Sequence, residues 1–225
     1  MVEPSPSIIC TVDVPLFVLI DGKLHVVLLR RDHAPFTGLY ALPGAYIKAT
    51  DENAMGAAAR MLFEKTGIAS PYLEELRTFS GATRDPRGWS ISVAHYALVS
   101  QEILSSAKTD GLELRDVNNL GELPFDHSEI IETALARLRT KSMYSSLPCY
   151  LAGEHFTMSE LRRIYEQVIG ESIDKITFKR KLADLDVLVM VEGAKREGEP
   201  NRPGQLYCIK PETFGSLSVL SRGMR

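Results

Sequence analysis

The chain has 225 residues, and at about 150 residues per domain this length predicts one large domain or two, with two the favoured reading. A composition of 44% hydrophobic and 24% charged residues excludes general disorder and fibrous or disulfide-built scaffolds. The net charge of -3 conceals an uneven split: 13 Lys and Arg against 18 Asp and Glu leave -5 in residues 1–140, and 13 against 11 leave +2 in residues 141–225.

No apolar run approaches the roughly 18 residues of a membrane span, and residues 1–7 lack the basic and apolar parts of a secretion signal, so a cytoplasmic protein is expected. Cys10, Cys149 and Cys208 are far apart and odd in number. Disulfides and structural zinc are not expected, and all three are read as small buried hydrophobes.

In chain order, residues 8–20 and 24–29 are β-branched apolar runs separated by Asp21-Gly22, which predicts a β-hairpin. Residues 51–63 are rich in helix formers, with Asp51 and Asn53 as candidate caps and Gly67 as the stop. Residues 73–79 and 90–99 read as strands joined across Arg84-Asp85-Pro86-Arg87-Gly88. A short strand at 112–117 precedes a helix from Asp126 to about Arg139, whose apolar stripe is Ile130, Ile131, Ala134, Leu135 and Leu138. The composition changes near Pro148. This predicts a first domain over 1–140, a linker over 141–150 and a second domain over 151–225.

In that second part, Thr157-Met158-Ser159-Glu160 matches a capping box, and Leu161, Ile164, Tyr165 and Val168 follow helical spacing as far as Gly170. A second helix over 174–185 repeats the spacing with Phe178, Leu182 and Leu185, so the pair reads as helix-turn-helix. Strands at 187–191 and 205–209, joined by a loop carrying Lys195, Arg196 and Arg202, read as a basic wing. At about 100° per residue, the helix face opposite its apolar stripe carries Ile176, Thr177 and Arg180, flanked by Lys175, Lys179 and Lys181. Arg180 and Thr177 are candidates for base edges. The lysines, Arg196 and Arg202 are candidates for phosphates of double-stranded DNA. A basic run alone more often means a solvated face, but the order of capping box, turn, basic helix and basic hairpin favours DNA.

In the first part, Glu52, Arg60, Leu62, Glu64, Gly67 and Ile68 fall in register with the Nudix box, and Leu42-Pro43-Gly44 precedes them; this segment resembles the Nudix hydrolases. That resemblance implies three helix carboxylates holding a divalent metal over a pyrophosphate. Two of the three places hold Met61 and Lys65, and Ala45 stands where a second glycine is usual. A Lys ammonium opposes a cation. The expectation is therefore weak hydrolysis or none, no catalytic residues, no required cofactor and Mg²⁺ at most weakly bound. Arg30, Arg31, Arg84 and Arg87, with Arg60 and Glu64 of the box, are candidates to hold a diphosphate effector, and Phe36, Tyr40, Phe79 and Trp89 to stack its base. Taken singly, Arg30, Arg31, Arg84, Arg87 and the aromatics each read better as a solvated arginine or a core aromatic, while for Arg60 and Glu64 a plain helix-surface pair is as good a reading. The group is the stronger candidate.

The altered Nudix box, Leu123-Pro124-Phe125-Asp126-His127, Phe156-Thr157-Met158-Ser159-Glu160-Leu161, Lys175 to Leu182, and Asn201-Arg202-Pro203-Gly204-Gln205-Leu206-Tyr207 together resemble the Nudix-related transcriptional regulators of bacteria. The resemblance covers nearly the whole chain. It implies an α/β Nudix-like sandwich of mixed sheet and helices followed by a small winged helix-turn-helix domain. It also implies an effector, ADP-ribose or a related nucleotide or sugar metabolite, and a palindromic operator bound by a homodimeric repressor of genes for NAD metabolism. Two rivals stand beside it: an ADP-ribose hydrolase with an appended interaction domain, and a winged helix that binds protein rather than DNA.

Overall fold

The computed structural model describes residues 7–107, 111–196 and 204–224, with 194–196 described by backbone alone. The first apolar run is two strands, β1 (Ile9–Asp13) and β2 (Leu16–Ile20), broken at Val14-Pro15. Each pairs in parallel with a different stretch of β7 (Ser90–Leu98): Ile9 lies opposite Ser90, and Leu16 opposite Ala97. β2 turns back into β3 (Lys23–Arg30) through Asp21 and Gly22, both at positive φ, as the Asp-Gly pair predicts.

β3 continues the sheet to β4 (Tyr40–Ala41) and to β8 (Leu112–Asp116). β5 (Gly44–Tyr46) pairs with β1, and β6 (Tyr72–Gly81) pairs with β7. The two-residue and three-residue strands β4 and β5 are too short to leave a periodic pattern, and neither is predicted from sequence.

Helix α1 (Ala54–Thr66) begins at Asn53, whose side chain accepts from the Gly56 amide, and ends at Gly67. It buries Ala57, Ala58, Met61 and Leu62 on one face of the sheet, against Val12, Leu16, Val18 and Val27. Helix α2 (Gln101–Ser105) is short and follows β7 directly. Helix α3 (His127–Ser142) covers the other face with Ile130, Ile131, Ala134 and Leu138, against Phe17, Val26, Leu28 and Tyr96. Strand alternation sends Leu16 and Val18 to α1 and Phe17 to α3.

The stretch 141–150, expected as a linker, is packed. Ser142, Ser145, Ser146, Leu147, Pro148, Cys149 and Tyr150 are buried, and Leu147–Leu151 forms a 3₁₀ turn. Tyr150 stacks on Tyr72 of β6 with ring centroids 5.1 Å apart, while Cys149 packs among the residues of the C-terminal core. Burial pushes the Cys149 thiol up to about 12. Cys10 is exposed and Cys208 partly so: one apolar residue type does not force burial on a strand with an open face, and the expectation for these two is corrected.

The C-terminal part contains β9 (Phe156–Thr157), α4 (Met158–Ile169), α5 (Lys175–Leu185), β10 (Leu188–Arg196) and β11 (Gly204–Ile209), with sheet order β10-β11-β9. Leu161 and Tyr165 of α4 pack on Phe178, Leu182 and Leu185 of α5. The capping box is formed: Thr157 Oγ1 accepts from the Glu160 amide at 3.2 Å, and Glu160 Oε2 accepts from the Thr157 amide at 2.8 Å. Thr157→Ala is expected to cost about 1 kcal/mol of stability in this part, read as a lower urea midpoint with circular dichroism. Residues after β11 return to α3's end, where Leu220 donates to the Tyr144 carbonyl and Met224 is buried. Among the described residues no helix is long and apolar enough to cross a membrane.

Candidate functional site

A cleft of about 560 Å³ opens between the β3–β4 connection, β5, the exposed side of α1 and the start of α3. Its lining includes Arg30, Arg31, Lys65, Arg84 and Arg87, with Arg60 and Glu64 at one side. Arg30 closes β3, Arg84 and Arg87 lie in the β6–β7 turn, and Arg60 and Glu64 are one turn apart on α1.

Three of these guanidinium groups are held by carboxylates. Arg84, 8% exposed at its side chain, is bidentate to Asp126 at 2.8 Å for both bonds and approaches Asp13 at 3.6 Å. Burial alone would lower its pKa, but the Asp126 bonds and charge more than offset this, and the net shift is upward. Arg87 is bidentate to Asp85, donates to the Tyr46 hydroxyl and lies over the Tyr46 ring. Burial favours the neutral form of Asp85, yet its bonds with Arg87 bring its pKa below the ordinary value. Arg60 grips Asp51 at 2.6 and 2.7 Å and reaches Glu64 at 3.1 Å, and the Arg60 bond takes Asp51 down to about 2.

The remaining cations differ. Among the described residues Arg30, Arg31 and Lys65 make no ion pair. Arg31 donates to the Pro35 carbonyl at 2.7 Å and sits over the Phe125 ring. Its pKa is lowered, first by desolvation and then by Arg87. The Lys65 ammonium donates to the Gly44 carbonyl, and desolvation lowers its pKa although the side chain as a whole is exposed. Asp13 and Asp32 also line the cleft and offset these cations only in part, and a cluster of cations in a cleft favours an anionic occupant.

Under the cleft lies Asp13, which accepts from Ser92 Oγ at 2.6 Å and faces His127 Nε2 at 3.7 Å. The Leu42 amide donates to His127 Nδ1 at 3.0 Å, so the ring proton is on Nε2 and points toward Asp13. Gly44 crosses here without a side chain because a Cβ would overlap the Asp13 carboxylate. Burial lowers the pKa of His127, and that of His95, whose Nε2 is buried without a partner among the described residues. Both are neutral in the fold but charge when it unfolds. The unfolded chain thus binds more protons, and stability is retained above about pH 6.5 and falls as pH drops below it. Urea midpoints are expected to be flat from pH 7 to 8 and to decline toward pH 5. The decline is expected to be shallower in His127→Gln.

The second surface is the exposed face of α5. Lys175, Ile176, Lys179 and Arg180 are exposed, Thr177 is half-buried, and Asp174 caps the helix by accepting from the Thr177 amide at 2.8 Å. A small hollow beside it is lined by Ser159, Arg162, Lys175, Lys179 and Gln205, so α4's start, α5 and β11 form one face.

Residues 148–209 match the NrtR DNA-binding winged helix domain. The ADPR responsive transcriptional repressor NtrR of Acinetobacter baylyi is 38% identical over 90% of this chain and 82% of its own length. The chain belongs to the NrtR family of transcriptional regulators. The crystal structure of Shewanella oneidensis NrtR complexed with a 27mer DNA superposes with a TM-score of 0.86, at 36% identity over 96% of this chain and 99% of that one. The Nudix domain of that protein, complexed with ADP ribose, matches 59% of this chain at 37% identity, covering 89% of that chain with a TM-score of 0.52. The ADP-ribose pyrophosphatase of Methanocaldococcus jannaschii is 32% identical over 51% of this chain and 70% of its length. The mixed α/β Nudix-like sheet followed by a winged helix domain is the NrtR architecture.

In this NrtR-family chain the six charged effector candidates, Arg30, Arg31, Arg60, Glu64, Arg84 and Arg87, all line the one cleft. The aromatic candidates do not. Phe79 is 4% exposed in the core beneath Arg77, because its strand parity points it at α3. Tyr40 packs against the same core with Arg115 over its ring. Phe36 stands edge-on to Phe125 at 4.9 Å beside an adjacent hollow, and Trp89 is exposed outside the cleft. The aromatic rings that line the cleft are Tyr46 and Phe125.

On α5, Lys181 is corrected. It follows Phe178 by three residues and so lies on the packed face, 9% exposed, with Nζ donating to the Arg222 carbonyl at 3.1 Å. Arg196 ends β10, and Arg202 lies outside the described residues. Sequence reading missed Asp13, Asp126 and His127. Asp13 carried a usable signal, a lone carboxylate closing an apolar strand.

Proposed function

We propose that this chain is a homodimeric repressor whose Nudix-like part, residues 1–140, senses ADP-ribose or a related metabolite and whose winged part, residues 151–225, binds a palindromic operator. The observation carrying the sensing half is the convergence of Arg30, Arg31 and Lys65, unpaired among the described residues, on one cleft of about 560 Å³ with Tyr46 and Phe125. A diphosphate pairs with these cations and an adenine or ribose meets the rings. The ADP-ribose response of the Acinetobacter baylyi repressor and the ADP ribose complex of the Shewanella oneidensis Nudix domain extend to this chain as part of the proposal, together with the control of NAD-metabolism genes that the family resemblance implies.

The cleft does not suit a divalent metal. Met61 is fully buried in the core, Glu64 is tied to Arg60 and approached by Lys48 at 3.6 Å, and the Lys65 ammonium occupies the third place. Among the described residues no three His, Cys, Asp or Glu side chains form a metal-holding group. We therefore infer a sensor that does not hydrolyse its ligand. The pyrophosphatase relative favours the rival, a hydrolase, and one assay separates them: incubation of the full chain with ADP-ribose and Mg²⁺ is expected to release no AMP. AMP formed at enzymatic turnover would establish the rival.

Asp126, which holds Arg84 of the cleft, and His127, which lines it, stand at the start of α3, whose far end carries Lys141 bonded to Glu74 and leads into the winged part. Ligand-induced movement of α3 changes the spacing of two recognition helices that must fit half-sites about 34 Å apart. The experiment for the whole reading is a gel shift on the protein's own upstream DNA, with ADP-ribose added to half the lanes. Retarded DNA that ADP-ribose releases is expected. Retardation indifferent to ADP-ribose overturns the sensing half.

A further inference from the structure

Ile176 is 79% exposed, more than any other large hydrophobic residue among those described, and it stands in the first turn of α5. Helical spacing puts it in one outward stripe with Lys179, Arg180 and Ala183, all exposed, while Phe178, Leu182 and Leu185 hold the opposite face in the core. Lys175, Lys179 and Arg180 therefore surround an aliphatic side chain that no part of the fold covers. Folding offers no reason for an isoleucine at this place. β-branched residues are also poorer helix formers than lysine, glutamine or alanine.

We propose that Ile176 is a specificity-determining residue that reads thymine, through van der Waals contact with the C5-methyl group on the floor of the major groove. The inference rests on operator binding by α5. Recognition helices present the residues of their N-terminal turns to base edges, and the flanking cations here match the phosphate rails on either side of the groove. Between those rails a side chain meets donors and acceptors, which an isoleucine cannot satisfy, and one apolar group, the thymine methyl. A guanine or cytosine at the same place would leave its polar edge desolvated against the isoleucine, so discrimination comes from the mismatch as well as from the contact.

The test uses the full-length chain, a duplex selected by it from a random pool, and the same duplex resynthesised with deoxyuridine in place of thymidine at one symmetric pair of positions at a time. Uracil keeps every hydrogen-bonding atom and lacks only the methyl. At one symmetric pair, wild type is expected to lose about fourfold in affinity per half-site, the worth of one buried methyl group. Ile176→Ala is expected to bind the two duplexes equally. Alanine is a better helix former and the site is exposed, so this variant folds. Thymidine-to-deoxyuridine exchange tolerated at every position overturns the proposal, and so does a penalty that persists undiminished in Ile176→Ala. Failure to enrich any duplex overturns operator binding itself, a distinct result.

Discussion

Arg180→Ala is expected to weaken binding of a selected duplex about tenfold to a hundredfold while leaving thermal stability unchanged. Arg180 is exposed on the outward stripe of α5, so its truncation removes nothing from the core. A guanidinium bidentate to guanine O6 and N7 is worth about 1–3 kcal/mol of discrimination. The comparison that gives this meaning is Lys179→Ala, expected to weaken all duplexes alike and to reduce the slope of log K against log salt by about one. Fluorescence anisotropy on the selected duplex and on a scrambled one, at three salt concentrations, separates the two roles. Equal losses for Arg180→Ala on both duplexes would make it a phosphate contact. Indifference of both variants would make the winged part a protein-binding module.

Arg84→Ala is expected to lower stability by about 3 kcal/mol and to abolish ADP-ribose binding. The side chain is 8% exposed and neutralises Asp126 while approaching Asp13, so its removal strands Asp126 and takes a cation from beside Asp13 in a confined place. Breaking a buried pair from one side costs about 3–5 kcal/mol, and access of water through the cleft puts this case at the lower end. Urea unfolding measures the first effect and calorimetric titration the second. Because the variant is weakened, Asp126→Asn is its companion. Asparagine still accepts from the guanidinium, and the Asp126 side chain makes no capping bond to lose, so fold and ligand affinity are expected to persist while release of DNA by ADP-ribose is blunted. Undiminished release would take the start of α3 out of the route between cleft and operator.

Local chemistry made much of this molecule legible. Asp21-Gly22 specified its turn, Asn53 and Gly67 bounded α1, and Thr157 with Glu160 marked the start of α4, because each of these signals acts within a few residues. The charged members of the cleft were legible as a group, since arginines at strand ends and turns converge wherever a sheet presents its edge loops. Their aromatic companions were not. Phe79 and Tyr40 occupy positions whose facing depends on strand parity and on which sheet face α3 covers, while Tyr46 and Phe125 come from short or irregular segments without periodicity.

The sequence by itself determined that two differently charged parts exist, that the second carries a capped helix pair with a basic outward face, and that Met61 and Lys65 stand at two places where the Nudix resemblance implies carboxylates. Only the tertiary structure decided that Lys181 faces inward while Ile176 stands uncovered, and that residues 141–150 are packed between cores. It also decided that Asp13, Arg84, Asp126 and His127, drawn from three distant stretches, meet beneath one cleft. Helix caps and turns are local bonds, whereas a buried charge network exists only once the strands that carry its members have been brought side by side.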